Sequence, residues 1–400
     1  MNKEKAIWLI AGGSMQVPAA LEIVNQGFKL ILTDRDAECP CAKYAKEFIE
    51  MDTFDITGNL IKAEKLLNKF DIRAVLTIAA DCHTTVAVLA RFLGLHGIDP
   101  EISKICRVKH LTREVLREKG IPQPKFIAVK NIRDAYQFIA KINSKIVIKA
   151  TDNSGSRGIS FLNKDEELTS EKFERAKANG TTGYVIIEEF LDPIDEIICE
   201  LSVETLWYNG KSYWLNWVDR LFRKDYLLFD SLKNSSIYDN IGGGIELGHI
   251  NPAIHDLSVK QEVEKLIDDA GKAIGMGGQK GGHILKADII LTKRGPFILE
   301  LTPRLSGGWD SSGTTPARNA NFIGGVIKLS LREQITIDLW HDYFNYKNPS
   351  LNATILTKIP AGALDSVNRQ YALGKSFDRN ESLKRALSNL MENKYVIPME

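Results

Sequence analysis

The sequence predicts an N-terminal Rossmann-like α/β unit with a parallel sheet, followed by a longer α+β region built on antiparallel strands. Three observations carry this. Short apolar runs alternate with helical patterns over the first hundred residues, strands dominate from Lys145 onward, and a helix closed by GIPQP separates the two patterns. Four hundred residues, 44% hydrophobic and 26% charged, suffice for two or three packed cores rather than one.

The runs AIWLIAGG, KLILTD and AVLTIAAD read as buried parallel strands, with helices over Val17 to Asn25, Leu60 to Lys69 and Thr84 to Leu93 between them. The glycines of AGGSMQ and Asp34 at the end of the second strand invite a nicotinamide-dinucleotide reading. Gly12 and Gly13 are adjacent, however, and the third glycine of that fingerprint is missing, so the unit is read as a Rossmann-like half put to another use. His83, in AADCHTT, falls at the carboxyl end of a strand, where ligands of open α/β sheets bind; capping the next helix is the preferred account of it.

In KHLTREVLREKGIPQP, Leu111, Val115 and Leu116 share a helical face and Gly120, Pro122 and Pro124 end the helix. Asn131 is placed to cap a helix reaching about Ile142. Strands follow at KIVIKA, GISFL, YVIIEE, IICELSVETLWY and KSYWLNWV, with a polar helix between Asp165 and Ala178. The stretch from Phe222 to Pro252, with GGG at 242–244, lacks periodicity and reads as an active-site loop or a surface excursion. A helix from about Ile254 to Ile274 precedes two strands, HILKADIILT and PFILELTPR, and the chain past Leu331 reads as a small closing subdomain.

Fifty-two Lys and Arg against 51 Asp and Glu leave a formal charge of +1, so no general field attracts nucleic acid or an acidic membrane. The five cysteines are scattered, and the Cys39 to Cys41 spacing suits neither zinc nor a redox pair, which predicts reduced thiols in a cytoplasmic protein. The first apolar run is too short for a signal peptide or a membrane span.

The chemistry concentrates in KIVIKATDNSGSRGISF. Lys149 ends an apolar strand, and Asn153, Ser154, Gly155, Ser156 and Gly158 form a loop whose backbone N–H groups can surround an anion. A strand rather than a helix follows, which makes this a flap and not a Walker loop. Around it the chain gives Lys109, then VIIEEFLDPIDE, then ILKADIIL, then FILELTPRLSGG.

This order of features resembles the ATP-grasp superfamily, in its single-module carboxylate–amine ligase branch, from about residue 5 to 330. The resemblance implies a pre-ATP-grasp domain over 1–105, a small lid lobe over 106–190, a large lobe over 191–330 and a C-terminal subdomain over 331–400. It implies that Lys109 and Lys149 contact the phosphates of ATP under the 154–158 flap. Glu188 would accept from the adenine amine, the backbone of Phe190 and Leu191 would meet the ring edge, and Glu196 would hold the ribose. Arg304 would face the transferred phosphoryl group or a substrate carboxylate, with Arg220 and Arg157 as further arginines of that pocket or as solvated surface groups.

Asp288 and Glu300 have a case of their own, since an acid within each strand of an apolar hairpin is a costly buried charge without a cation. Magnesium, or manganese in its place, supplies one together with phosphate oxygens; ordinary salt bridges to Lys286 or Arg304 are the alternative. Thr302 stands where most relatives carry Asn, which leaves one metal or two open.

The segment after Arg304, with Gly307, Trp309 and Asp310, reads as a wall for the carboxylate substrate, with Trp309 as a core residue the competing account. The expected activity is an ADP-forming ligase that joins a small-molecule carboxylate to an amine through an acylphosphate, with oligomeric state open. A kinase or a biotin-type carboxylase of the same fold, or a nucleotide-binding module without turnover, are the rival readings.

Overall fold

The computed structural model describes residues 3–153, 158–164, 166–194, 197–222, 230–236, 245–358 and 369–396. Ser154, Gly155, Ser156, Arg157, Glu196 and the GGG run therefore lie outside the described residues.

Strands β1 (Glu4–Ile10), β2 (Lys29–Asp34), β3 (Glu47–Glu50) and β4 (Phe70–Leu76) pair in parallel in the order β3-β2-β1-β4. Both faces are covered, which is why AIWLI is apolar throughout rather than alternating. Helix α1 (Val17–Asn25) and the helix Phe322–Ser330 pack on Leu9, Leu32 and Leu76, whereas α2 (Ile56–Leu66) and α3 (His83–Phe92) pack on Trp8, Ile31 and Val75. The α1 bounds are those expected from sequence. Strand β3, an edge of four residues with a glutamate at each end, carries too little apolar pattern to be read in advance.

After α4 (Pro100–Arg107) and α5 (Lys109–Glu118), a second sheet is formed by β5 (Phe126–Val129), β6 (Ile146–Ala150), β7 (Ser160–Leu162) and β8 (Val185–Glu189), ordered β5-β8-β6-β7 and antiparallel. Helices α6 (Ile132–Ile139) and α7 (Ser170–Ala178) cover one face through Ile146, Ile148, Phe173 and Ile187. Asn131 does precede α6, but its side chain makes no capping bond.

The largest sheet has seven antiparallel strands ordered β13-β12-β9-β10-β11-β14-β15. They are β9 (Glu200–Tyr208), β10 (Lys211–Leu221), β11 (Gly248–Asn251), β12 (Gly282–Thr292), β13 (Gly295–Thr302), β14 (Asn352–Lys358) and β15 (Gln370–Ser376). The segment past Leu331, expected to close the fold as a subdomain, thus contributes β14 and β15 to this sheet, because β11 offers its free edge to β14 over four paired residues. One face of the sheet packs on the helix Leu257–Ala273 through Leu201, Val203, Ala287 and Ile289.

A buried ion pair fastens the C-terminal helix Arg379–Met391 to this sheet. Asp219, fully buried on β10, accepts from Arg379, from His255 Nε2 at 2.9 Å and from the Ile254 amide at 3.1 Å. Removing one partner strands the other charge in a low dielectric. Arg379→Ala is therefore expected to lower the unfolding free energy by about 3 kcal/mol, read by urea denaturation, whereas a surface change such as Lys394→Ala should leave it within about 0.5 kcal/mol.

Candidate functional site

Successive side chains of a strand point to opposite sides, so the residues of β9, β10 and β12 divide into two sets. Leu201 and Val203 enter the core; Glu200, Ser202 and Glu204 face the other way. The register aligns these polar residues across strands. Thr302, Lys286, Glu204 and Asn216 form one row, Glu300, Asp288 and Ser202 a second, and Glu200, Arg220 and His249 a third. One sheet face carries three rows of chemistry.

Asp288 and Glu300 stand directly opposite each other, as the hairpin reading requires. Asp288 Oδ2 meets Lys286 Nζ at 2.6 Å and Arg220 Nη1 at 3.1 Å, so the Lys286 pairing left open by the sequence is made. Burial favours the neutral carboxyl, but the charges of Arg220 and Lys286 outweigh it and hold Asp288 below the usual carboxylate range. Its other oxygen, Oδ1, is buried without a hydrogen-bond partner among the described residues. Glu300 accepts from Lys109 Nζ at 3.1 Å and keeps 28% of its side chain exposed. Among the described residues, no three metal-ligating side chains converge.

Each cation of the site is held by an acid. Arg220 also binds Glu246 at 2.6 Å, and Glu246 Oε1 lies 3.7 Å from His249 Nδ1. Arg304, expected at the reacting groups, donates Nη2 to Asp81 at 2.5 Å and Nη1 to the Leu305 carbonyl at 2.7 Å. Lys149 Nζ lies 2.6 Å from Glu188 Oε2, and Arg113 Nε lies 2.6 Å from Glu188 Oε1. Burial would raise the Glu188 pKa; Arg113 and Lys149 overcome that and hold it at about 2.

Three expectations are corrected by this geometry. Glu188 does not present a free carboxylate to an adenine edge, since one of its oxygens is engaged by Arg113 and the other by Lys149. Asp310 is no substrate wall: 1% exposed, it accepts from Thr314 Oγ1 at 2.7 Å, Asn251 Nδ2 at 3.2 Å and Asn216 Nδ2 at 3.4 Å. His83 does not cap α3 but begins it, with Nδ1 2.6 Å from Ser103 Oγ, and burial holds its imidazole neutral, at about 3.

Phe190 donates its amide to the Lys145 carbonyl at 2.8 Å, and the Lys145 ammonium sits between the rings of Phe161 and Phe190, 4.9 and 4.7 Å from their centroids. Leu191 is buried in the core of the large sheet. Gly158 has φ +74°, and a Cβ there would lie 2.7 Å from that of Asn179, so glycine is required.

Trp309 is placed both in the packed interior and at the wall of a cleft. It is 4% exposed, yet with Gly13, Asp34, Phe54 and Tyr371 it lines a cleft of about 720 Å³ at the carboxyl ends of the parallel strands. Its own φ of 68° and that of Gly308, 66°, make two successive left-handed residues that turn the indole into this wall. Gly307 is less demanding, since a Cβ there would make an ordinary 3.5 Å contact with the Ala79 carbonyl.

Sequence reasoning missed Arg113, Glu204, Glu246, His249 and Asp81. The signals were present: Arg113 lies one helical turn after Lys109, Glu204 shares the alternation of ELSVETLWY, and Glu246 and His249 stand three apart.

The family model of the phosphoribosylglycinamide synthetase ATP-grasp (A) domain matches residues 107–307. The chain belongs to the ATP-grasp family. It is 24% identical over 294 residues to the uncharacterized protein y4rH of Sinorhizobium fredii (strain NBRC 101917 / NGR234), a match covering 73% of this chain and 55% of that protein, so the chain spans about half the length of this relative. The fold is that of the L-amino acid ligase from Bacillus licheniformis (TM-score 0.68, 18% identity, 89% of this chain and 80% of that one). It is likewise that of the N5-carboxyaminoimidazole synthetase from Staphylococcus aureus complexed with ADP (TM-score 0.65, 16% identity, 89% and 84%). No helix among the described residues is long and apolar enough to cross a membrane.

Glu204 gives the site a pH dependence. It is fully buried, accepts from the Ser306 amide at 2.7 Å, Ser311 Oγ at 2.9 Å and Asn216 Nδ2 at 3.2 Å, and has no ion-pair partner among the described residues. Burial first, and the neighbouring Asp310 second, push its carboxyl from 4.5 up to about 7. The folded chain holds this proton where the unfolded chain releases it, so the stability it contributes is full below about pH 4.5 and declines as pH rises to about 7. Glu204→Gln should flatten that part of the Tm-against-pH profile; an unchanged slope would assign the dependence elsewhere.

Proposed function

We propose that this protein is an ATP-dependent ligase that joins a carboxylate substrate to an amine or ammonia through an acylphosphate, with release of ADP and phosphate. The observation that carries the reading is the opposed pair Asp288 and Glu300, ringed by Lys109, Lys286 and Arg220, with Lys149 held by Glu188 on the small sheet. An ATP-grasp chain that concentrates opposite charges in this way is suited to a triphosphate and its counterion. The ADP held by one structural relative and the ligase named in another support the same reading.

The donor set fits magnesium or manganese: Asp288 has a buried oxygen without a partner among the described residues, Glu300 faces it, and hard cations take carboxylate and phosphate oxygens together. Asp288 and Glu300, with Thr302 beside them, would hold the ion, which supplies charge neutralisation to the phosphates. Lys109 and Lys149 would exchange their carboxylate partners for phosphate oxygens. The flap of Ser154, Gly155, Ser156 and Gly158 would cover them. The backbone of Phe190 and Leu191 would meet the adenine ring, and Glu196 the ribose.

A carboxylate resists amines because oxide is a poor leaving group. Its oxygen bonds to the γ-phosphorus as the bond to ADP breaks; the amine nitrogen then bonds to the acyl carbon as the carbon–oxygen bond to phosphate breaks. Arg304 and Arg220 offer planar forks of donors to the anions formed on the way. The proton lost by the amine needs an acceptor, and His249 Nε2, buried beside Glu246 and without a partner among the described residues, is suited to take it. The cleft lined by Trp309 would take the second substrate.

ATP with Mg2+ should raise the Tm of the wild type, and Glu300→Gln should abolish ADP formation in a screen of acids with amines. Lys149→Ala should lower kcat/KM by about 30- to 1,000-fold, as loss of a preorganised electrostatic contact does; a change below about threefold would place this lysine outside the chemistry.

Trp309→Ala should raise KM for the acid or amine while leaving KM for ATP within about twofold, since the indole lines the cleft and not the lid. Equal loss for both substrates would make Trp309 architectural.

A further inference from the structure

Helix α5 carries two cations one turn apart, and both reach the edge of the large sheet. Lys109 binds Glu300. Arg113, 1% exposed, uses its guanidinium in three directions: Nε to Glu188 Oε1 at 2.6 Å, Nη1 to the Ile298 carbonyl at 2.9 Å and Nη2 to the Leu299 carbonyl at 3.1 Å.

Those two carbonyls sit at a particular place. In the hairpin Ile298 pairs with Ile289, and Glu300 pairs with Asp288, so Leu299 is the extra residue of a β-bulge. Strand β13 is also an edge of the sheet, and the outward carbonyls of an edge strand have no ladder partner. Arg113 supplies the missing donors at the irregularity that sets Glu300 opposite Asp288. Its third bond crosses to β8 of the small sheet, where Glu188 in turn holds Lys149.

We infer that Arg113 is a positioning residue that sets two separate parts of the ATP site at once: the Lys149 ammonium, through Glu188, and the Glu300 carboxylate, through the β13 bulge. This rests on the reading above that Lys149 and Glu300 serve ATP with a divalent cation. A lysine cannot replace the fork. One ammonium can keep the charge pair with Glu188, but it cannot also reach two adjacent carbonyls in the guanidinium plane. The side chain is buried behind Glu188 and β13, so it acts on the nucleotide only through the groups it holds.

The test is a double-mutant cycle read by calorimetric titration of the full chain with ATP, first without metal and then in the presence of Mg2+. With ATP and no metal, which isolates the Lys149 arm, Arg113→Met should weaken binding about tenfold or more in the wild-type background and less than about threefold in the Lys149→Met background, because the ammonium it positions is already gone. Arg113→Lys should recover part of the ATP affinity measured without metal, through Glu188. It should not recover the further gain in affinity that Mg2+ gives the wild type, because that depends on the bulge.

A residue that merely filled space would give additive losses in the cycle and equal recovery of both affinities by Arg113→Lys; either result overturns the inference. Should Arg113→Met fail to fold, Glu188→Gln takes its place in the cycle against Lys149→Met, with the same non-additivity expected and additivity again overturning the inference. If the wild type itself does not bind ATP with Mg2+, the proposed function fails. If it binds and the cycle is additive, only the role given to Arg113 does.

Discussion

The two-residue period of the seven-stranded sheet is the constraint on which the site depends. A single run such as ELSVETLWY must feed a hydrophobic core and a polar cleft at once, and only strict alternation with fixed register does both. One residue of slip in β12 would turn Asp288 into the core and Ala287 into the cleft. The core contacts of Leu201, Val203, Ala287 and Ile289 against the helix Leu257–Ala273 therefore do more than stabilise the fold; they hold the polar rows in line. At β13 the period is broken by one residue, and that break restores Glu300 to the face that Asp288 occupies.

Crowding charges on one face has an electrostatic cost that the chain offsets by pairing. Lys109, Lys149, Lys286, Arg220 and Arg304 each find an acid, and buried acids so paired stay ionised, as Asp288 and Glu188 do. Such pairs are replaceable, because a phosphate or a divalent cation offers each group a partner of the same sign as the one it leaves. Glu204 and Asp310 follow the other route. They lie near each other with neutral donors around them, Asn216 donating to both, and Glu204 answers by holding its proton. That network ties β9 and β10 to the segment after Arg304 through Ser306 and Ser311, so the buried acids orient the arginine's loop.

The small sheet meets the large one through few but strong contacts. Arg113 reaches from α5 to β8 and to β13, and Lys109 reaches to Glu300 and, at 2.5 Å, to the Asn153 carbonyl just after β6. A nucleotide held between the sheets would compete for several of these groups together. Binding and the relative setting of the two sheets are then linked by shared bonds rather than by distance.

The sequence by itself determined what periodicity and residue chemistry can specify: the parallel βαβ start, the antiparallel remainder, the bounds of α1 and the opposed acids of the β12–β13 hairpin. Asp288 and Glu300 were legible because an acid inside an apolar strand is anomalous wherever the strand lies. Partnership was not legible. Nothing in VIIEE says that Glu188 turns to Arg113 and Lys149 rather than to a base, and nothing in GGWDSS says that Trp309 lines a cleft while Asp310, the next residue, is sealed in a network. Such choices belong to tertiary structure, because they depend on which charge lies within a few ångströms across strands and helices distant in the chain. Local pattern sets the side a residue faces; the packed neighbours decide what it meets there.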